Sequence, residues 1–128
     1  MKYGFWIFMF IVDLLIPLLM LVFGWVLLKK PPKQINGIYG YRTARSMKNM
    51  DTWNFAHAYC GKLWSKIGGL MFPISMILML FLKDKDSDTI GLWGGILIAI
   101  QTLVLIIAIF PVEHALKKNF DKDGNRVE

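Results

Sequence analysis

Three long apolar runs constrain this chain more than any other feature. They cover about residues 3–28, 63–82 and 90–111, and each is close to the roughly 20 residues that a helix needs to cross about 30 Å of hydrocarbon. Their apolar residues are clumped, which is typical of helices surrounded by lipid. With 55% hydrophobic residues, a soluble domain of 128 residues could not bury so much apolar surface. We therefore predict an all-α integral membrane protein with three transmembrane helices, in which residues 1–128 form a single membrane domain.

The first run is predicted to be a retained helix. It is long for a signal peptide, carries Asp13 and Pro17 in its middle, and is followed by no cleavage site of small residues.

The loops predict the orientation in the membrane, because Lys and Arg concentrate on the cytoplasmic side. The connector after the first run and the polar tail, residues 112–128, hold most of these residues, whereas the opposite side has only Lys2, Lys83 and Lys85. We expect the N-terminus outside and the connector and C-terminus in the cytoplasm. Topology also accounts for the net charge of +6, so no nucleic-acid partner is expected.

The connector, residues 33–62, is predicted to be an ordered interfacial loop followed by an amphipathic helix. Pro31 and Pro32 cannot continue the first helix, so it should end at Lys29 or Lys30. Asn49 is a good N-cap, which predicts a helix from about Met50. One face of that helix collects residues spaced by three and four: Trp53, Ala56, His57, Cys60 and Trp64. Residues 50–64 form either a separate interfacial helix or the start of the second span. We expect the tail after the third span, which ends at Pro111, to be frayed at its end.

A polar layer is predicted inside the membrane. Counted from the outer face, Asp13, Ser75 and Gln101 fall within roughly 6 Å of the same depth at about 1.5 Å per residue, and Thr102 is a further candidate. Pro17 also frees the backbone carbonyl of Asp13. Either a neutral Asp13 fixes helix packing through hydrogen bonds, or the layer is a proton-linked or ligand site.

The stretch GYRTARSMKNMDTW, which begins at Gly40, has the most specific content. Arg42 and Arg45 stand among small and hydroxyl residues, and guanidinium groups bind phosphate through a bidentate fork. One interpretation is therefore a site for a lipid headgroup. The other is that both arginines obey the positive-inside rule and brace the loop.

Other kinds of site receive little support. His57, Cys60, Glu113 and His114 lack the close spacing of a four-ligand metal signature, so no metal is expected. No phosphate-binding glycine loop, nucleophile elbow or zinc-protease motif occurs, so we predict neither a cofactor nor an enzyme. Trp53 and Trp64 are interpreted as interfacial anchors.

These residues resemble a known family. The run PPKQINGIYGYRTARSMKNMDTWNFAHAYCGKLW, with DLLIPLLMLVFG in the first span, is similar to the Sdp immunity protein family, SdpI/YfhL. The resemblance implies a multi-pass protein of the bacterial cell (inner) membrane. The founding member protects its producer against a secreted, membrane-active peptide toxin and draws a transcriptional repressor to the membrane. It has an additional membrane segment before this module, so we expect a short form with the C-terminal module only.

The resemblance also implies which residues function. By carry-over they are Asn36, Tyr41, Arg42, Thr43, Ser46, Asn49 and Trp53. The leading hypothesis is an immunity protein that acts by binding a peptide toxin or protein partner, or by shielding membrane lipid, without covalent chemistry. The alternative is a small transporter or lipid-phosphate-binding protein that works as a homo-oligomer.

Overall fold

A computed structural model describes residues 3–127 as a helical bundle. The helices are α1 (Gly4–Lys29), α2 (Met50–Phe81), α3 (Ser87–Ile107) and α4 (Ile109–Asn119). Within the described part of the chain there is no strand, and β pairing is limited to one isolated bridge between Phe120 and Arg126. Residue 128 of the tail and Lys2, which entered the orientation argument, lie outside the described residues. The predicted all-α class is confirmed.

Within residues 3–127, three helical segments are long and apolar enough to cross a membrane, as predicted. Along them, many large apolar side chains point away from the bundle; Phe8, Leu92 and Leu103 are each more than half exposed. Such a surface suits lipid and would be unfavourable in water. α1 ends at Lys29, next to Lys30, Pro31 and Pro32, where the missing proline N–H groups stop the helix. The protein is therefore a multi-pass membrane protein.

α2 settles the question left open for residues 50–64. Met50–Phe81 is a single helix of 32 residues, so its length is about 48 Å at 1.5 Å per residue. That exceeds the roughly 30 Å of hydrocarbon in a bilayer. The predicted amphipathic segment is thus the N-terminal part of α2, continuous with the second span, and it extends beyond the hydrocarbon.

The chain does not leave the helical state at Pro111, where the third span was predicted to end. α3 gives way to α4 at Ala108, and α4 continues to Asn119. Pro111 lies in the first turn of α4, where a missing backbone N–H costs little. Val112, Ala115 and Leu116 are then buried against the rest of the bundle. The predicted polar tail therefore begins as a packed amphipathic helix.

Small residues let α1 and α2 pack closely. A β-carbon on Gly61 would lie 3.0 Å from the Gly24 carbonyl oxygen, and one on Gly24 would lie 2.8 Å from the Ser65 backbone nitrogen. Further along the pair, a β-carbon on Gly68 would lie 3.0 Å from the Pro17 carbonyl oxygen. Because these neighbours are backbone atoms, larger side chains would force the helices apart.

Two buried clusters occupy opposite ends of the bundle. One includes Met9, Met79 and Ile90, and near it the Trp6 indole N–H donates to the Met79 carbonyl oxygen at 2.7 Å. The other joins the end of α1, the start of α2, α4 and the tail: Leu27, Tyr41, Ala56, Cys60, Val112, Leu116 and Phe120. Residues 33–49, which we call the motif, lie against this second region. We therefore call the region the motif end.

Candidate functional site

A tight turn presents apolar side chains at the motif end. The Asn36 side-chain oxygen accepts from the backbone N–H groups of Ile38 and Tyr39, each at 2.9 Å. Arg42 closes the turn by donating from Nη1 to the Gly37 carbonyl oxygen at 2.5 Å. Ile38 is consequently held outward with 87% of its surface exposed. Asn36 and Arg42, both predicted functional residues, therefore shape this turn, and most of the Arg42 N–H donors remain available.

Gly40 brings the backbone against His57. Its φ of 115° is unfavourable for residues with a side chain, and a β-carbon would lie 2.5 Å from His57 Nε2. The Tyr41 backbone N–H donates to that nitrogen at 2.9 Å, while His57 Nδ1 lies 2.6 Å from the Trp53 carbonyl oxygen. Because Nε2 accepts, Nδ1 carries the proton and donates to Trp53. His57 is thus used as a neutral hydrogen-bonding link between the loop and α2.

Trp53 corrects one expectation. The sequence interpretation made it an interfacial anchor, but its side chain is fully buried, with its ring centroid 4.3 Å from that of His57. Its indole N–H donates to the Pro32 carbonyl oxygen at 3.0 Å. The predicted face of α2 is confirmed; what covers that face is the connector, not lipid. Trp64, on the same face, is half-buried.

Ser46 and Thr43 hold the next turn. The Ser46 hydroxyl accepts from the Thr43 backbone N–H at 2.8 Å and lies 2.9 Å from the Tyr41 carbonyl oxygen, to which it donates. The Thr43 hydroxyl oxygen accepts from the Ser46 backbone N–H at 3.2 Å. Ser46 is fully buried, so its loss would leave backbone groups without partners.

Glu113 of α4 completes this network and was missed as a partner of the motif. One carboxylate oxygen, Oε2, accepts from the Tyr41 hydroxyl at 2.6 Å and from the Thr43 hydroxyl at 3.0 Å. Burial, together with the adjacent Glu113 carboxylate, raises the pKa of Tyr41 above its usual range, so its hydroxyl stays a donor. The available signal was a carboxylate two residues after the predicted end of the third span, on the same predicted side as a hydroxyl-rich loop.

Asn49 caps α2 and holds the tail. Its side-chain oxygen accepts from the Thr52 backbone N–H at 2.9 Å, and the Thr52 hydroxyl oxygen accepts from the Asn49 backbone N–H at 3.1 Å, which forms a capping box. The Asn49 amide also donates to the Gly124 carbonyl oxygen at 2.7 Å. The predicted cap is confirmed. The frayed tail is not, because Phe120 is buried and this hydrogen bond ties residue 124 to the motif.

A pocket of about 400 Å³ opens beside this network. Its buried wall includes Leu27, Tyr41 and Cys60, and Arg42 and Thr43 contribute polar groups. The remaining lining residues are Phe23, Ile38, Tyr39, Gly40, Trp64 and Ile109. A largely apolar pocket with a few polar groups is the usual form of a site for an amphipathic molecule. Arg45 does not line the pocket and makes no hydrogen bond or ion pair within residues 3–127.

The predicted polar layer forms between α1, α2 and α3. Gln101 Nε2 donates to the Asp13 carbonyl oxygen and to the Ser75 hydroxyl oxygen, both at 2.8 Å. All three residues are at most 1% exposed. Pro17 has no N–H to donate to that carbonyl, so Gln101 takes its place. Thr102 does not join: it is exposed, and its hydroxyl donates to the Ile98 carbonyl oxygen of its own helix.

Comparison with known proteins identifies the family. The model of the SdpI/YfhL protein family matches residues 33–112, which is more than half of the chain. The chain belongs to the SdpI/YfhL family. The match begins at the connector and includes every residue of the Glu113 network except Glu113 itself.

One curated relative is the uncharacterized protein YfhL of Bacillus subtilis (strain 168), which is 38% identical over 60 residues. That alignment covers 47% of this chain and 54% of the relative, so the chain spans about half the length of this member of the family. No solved structure matches the chain.

Proposed function

We propose that the protein is a membrane immunity protein, which protects a bacterium against a secreted, membrane-active peptide toxin by binding and not by covalent chemistry. Membership of the SdpI/YfhL family supports a role of this kind. The chain supplies a membrane bundle and, at one end, a folded element with an open pocket.

The observation that carries the proposal is the assembly of the motif around that pocket. Asn36 and Arg42 shape one turn, and Ser46 fixes the next. Tyr41 and Thr43 line the pocket while donating to Glu113. A connector that only had to carry positive charge would not need this arrangement of hydrogen bonds. The motif is therefore proposed to hold a binding surface in one conformation.

The motif end is proposed to face the cytoplasm, with the N-terminus outside. The basic residues gather at this end, whereas Asp84 and Asp86 of the loop between α2 and α3, and Asp88 in the first turn of α3, lie at the other. Labelling of Lys85→Cys and Lys122→Cys in intact cells with a membrane-impermeant maleimide tests this orientation. Reaction at position 85 alone supports it, whereas reaction at position 122 alone reverses it.

Survival in a toxin-sensitive bacterium tests the function. Cells that express the protein in the membrane should survive a higher dose of a membrane-active peptide toxin of the Sdp type than cells with an empty vector. Immunoblotting of the membrane fraction shows that the protein is present. Unchanged survival at good membrane expression would rule out immunity to that toxin.

A further inference from the structure

We infer that the pocket at the motif end binds an anionic phospholipid, with its phosphate at Arg42 and one acyl chain lying along α1. This inference does not depend on immunity, and it begins from the shape of the apolar surface next to the pocket.

A second cavity lies next to the pocket, on the side toward the middle of α1. This cavity has a volume of about 170 Å³ and shares Phe23 and Trp64 with the first. Its other lining residues are all apolar: Ile16, Leu19, Met20 and Leu105. Together the two cavities form a track between α1 and the end of α3, which we call the α1 track.

The length of the α1 track fits one leaflet. From Leu27 in the first cavity to Ile16 in the second, α1 rises about 16 Å at 1.5 Å per residue. Half of the roughly 30 Å hydrocarbon thickness is about 15 Å. An acyl chain that started at the level of Arg42 would therefore reach the middle of the bilayer along this track.

Charge at the polar end of the α1 track favours an anionic headgroup. Arg42 is exposed and spends only one of its donors on the Gly37 carbonyl oxygen, so a guanidinium fork remains for phosphate. The Thr43 hydroxyl donates to Glu113, so Arg42 is the donor left for phosphate, and among the described residues no acidic side chain lines either cavity. Lys29 and Lys30 stand nearby at the end of α1, where they add to the attraction.

Lipid titration of the purified protein in detergent tests the inference. Phosphatidylglycerol, phosphatidylcholine and inorganic phosphate are added separately, and bound lipid is counted by native mass spectrometry while thermal unfolding is followed. We expect phosphatidylglycerol to bind and stabilise the protein, with an affinity at least about tenfold above that of phosphatidylcholine, because both lipids offer a phosphate to Arg42 but the choline cation is repelled by the positive charge at this end.

Three variants assign the binding to the track. Arg42→Ala should weaken phosphatidylglycerol binding about tenfold and weaken phosphatidylcholine binding less, because the choline cation already offsets the attraction of Arg42 for its phosphate. Leu19→Trp, at a half-exposed position, should weaken both lipids by filling the apolar part. Lys62→Ala, which removes an exposed charge of α2 outside the cavities, should bind phosphatidylglycerol as the parent protein does.

Other outcomes would overturn the inference. Equal affinity for the two lipids would mean that the site does not recognise the net negative charge of the headgroup. Normal lipid binding by Leu19→Trp would place the acyl chain elsewhere. Stabilisation by inorganic phosphate equal to that by phosphatidylglycerol would show an anion site without a lipid chain. Because the titration contains no toxin, it can fail while immunity is upheld, and the reverse also holds.

Discussion

Replacing Glu113 by alanine should loosen the motif end. The change removes the single carboxylate oxygen that accepts from the hydroxyls of Tyr41 and Thr43 at 2.6 and 3.0 Å. Hydrogen bonds to charged groups contribute about 1.5–3 kcal/mol each, and half-burial of Glu113 lowers that value. We therefore expect Glu113→Ala to reduce the free energy of unfolding by about 2–4 kcal/mol. The Tyr41 hydroxyl would retain only a long contact of 3.4 Å to the Ile109 carbonyl oxygen.

Thermal unfolding in detergent micelles, followed by tryptophan fluorescence, measures this loss. Glu113→Gln keeps an oxygen acceptor and should lose only about 1 kcal/mol, since neutral acceptors form weaker bonds. His114→Ala is the matched control, because His114 is exposed on the same helix and makes no hydrogen bond within the described residues.

A double-mutant cycle isolates the contact with Tyr41. If the hydrogen bond exists as described, the effects of Tyr41→Phe and Glu113→Ala are not additive, and the coupling is about 1 kcal/mol or more. Additive effects, or a Glu113→Ala protein as stable as His114→Ala, would refute the reasoning.

Further predictions concern the bundle and the cap, and the same unfolding measurement checks them. Asp13→Asn should keep folding and survival, because Gln101 donates to the backbone carbonyl oxygen of residue 13, which the change keeps, and the carboxylate oxygens accept no hydrogen bond within the described residues. Lost survival in a well-folded Asp13→Asn protein would make the layer a functional site. Gln101→Leu should reduce the free energy of unfolding by about 1–3 kcal/mol, because it leaves the Asp13 carbonyl and the Ser75 hydroxyl without their partner. Gly61→Ala should reduce the free energy of unfolding by about 1–3 kcal/mol, because α1 backbone atoms lie 3.0–3.1 Å from the new β-carbon. Gly95→Ala is the control and should not destabilise the protein, because, apart from its own turn of helix, no atom of the described residues lies within 4 Å of its new β-carbon. Equal stabilities of the two variants would contradict the close packing. Asn49→Ala should reduce the free energy of unfolding by about 1 kcal/mol through loss of the helix cap, and it should make the chain at Gly124 more accessible to proteases. Unchanged protease sensitivity would argue against the hydrogen bond between Asn49 and the tail.

Features encoded locally were predictable from the sequence. The spans follow from apolar runs, the start of α2 from the Asn49 cap, and the end of α1 from the two prolines. The layer of Asp13, Ser75 and Gln101 was also predictable, because helix rise converts sequence position into depth.

Features that depend on contacts across the chain were not predictable. Glu113 lies 72 residues from Tyr41, and neither hydropathy nor spacing indicates which loop group a distant carboxylate accepts from. Periodicity placed Trp53 on one face of α2, but it could not reveal that the connector, folding back through Pro32, covers that face. The continuation of α4 past Pro111 was also missed. Pro111 was interpreted as the end of the third span, but it lies in the first turn of α4, where a proline does not interrupt a helix.

The most direct test of the central claim, that the motif end is a functional site, is the dose–survival curve of toxin-sensitive cells expressing Arg42→Ala or Lys62→Ala. Both changes remove one exposed positive charge at the same end of the bundle, and only Arg42 lines the pocket. With equal amounts of each variant in the membrane, we predict that Lys62→Ala protects as well as the parent protein and that Arg42→Ala does not protect. Full protection by Arg42→Ala would contradict the account and reduce the motif to a connector.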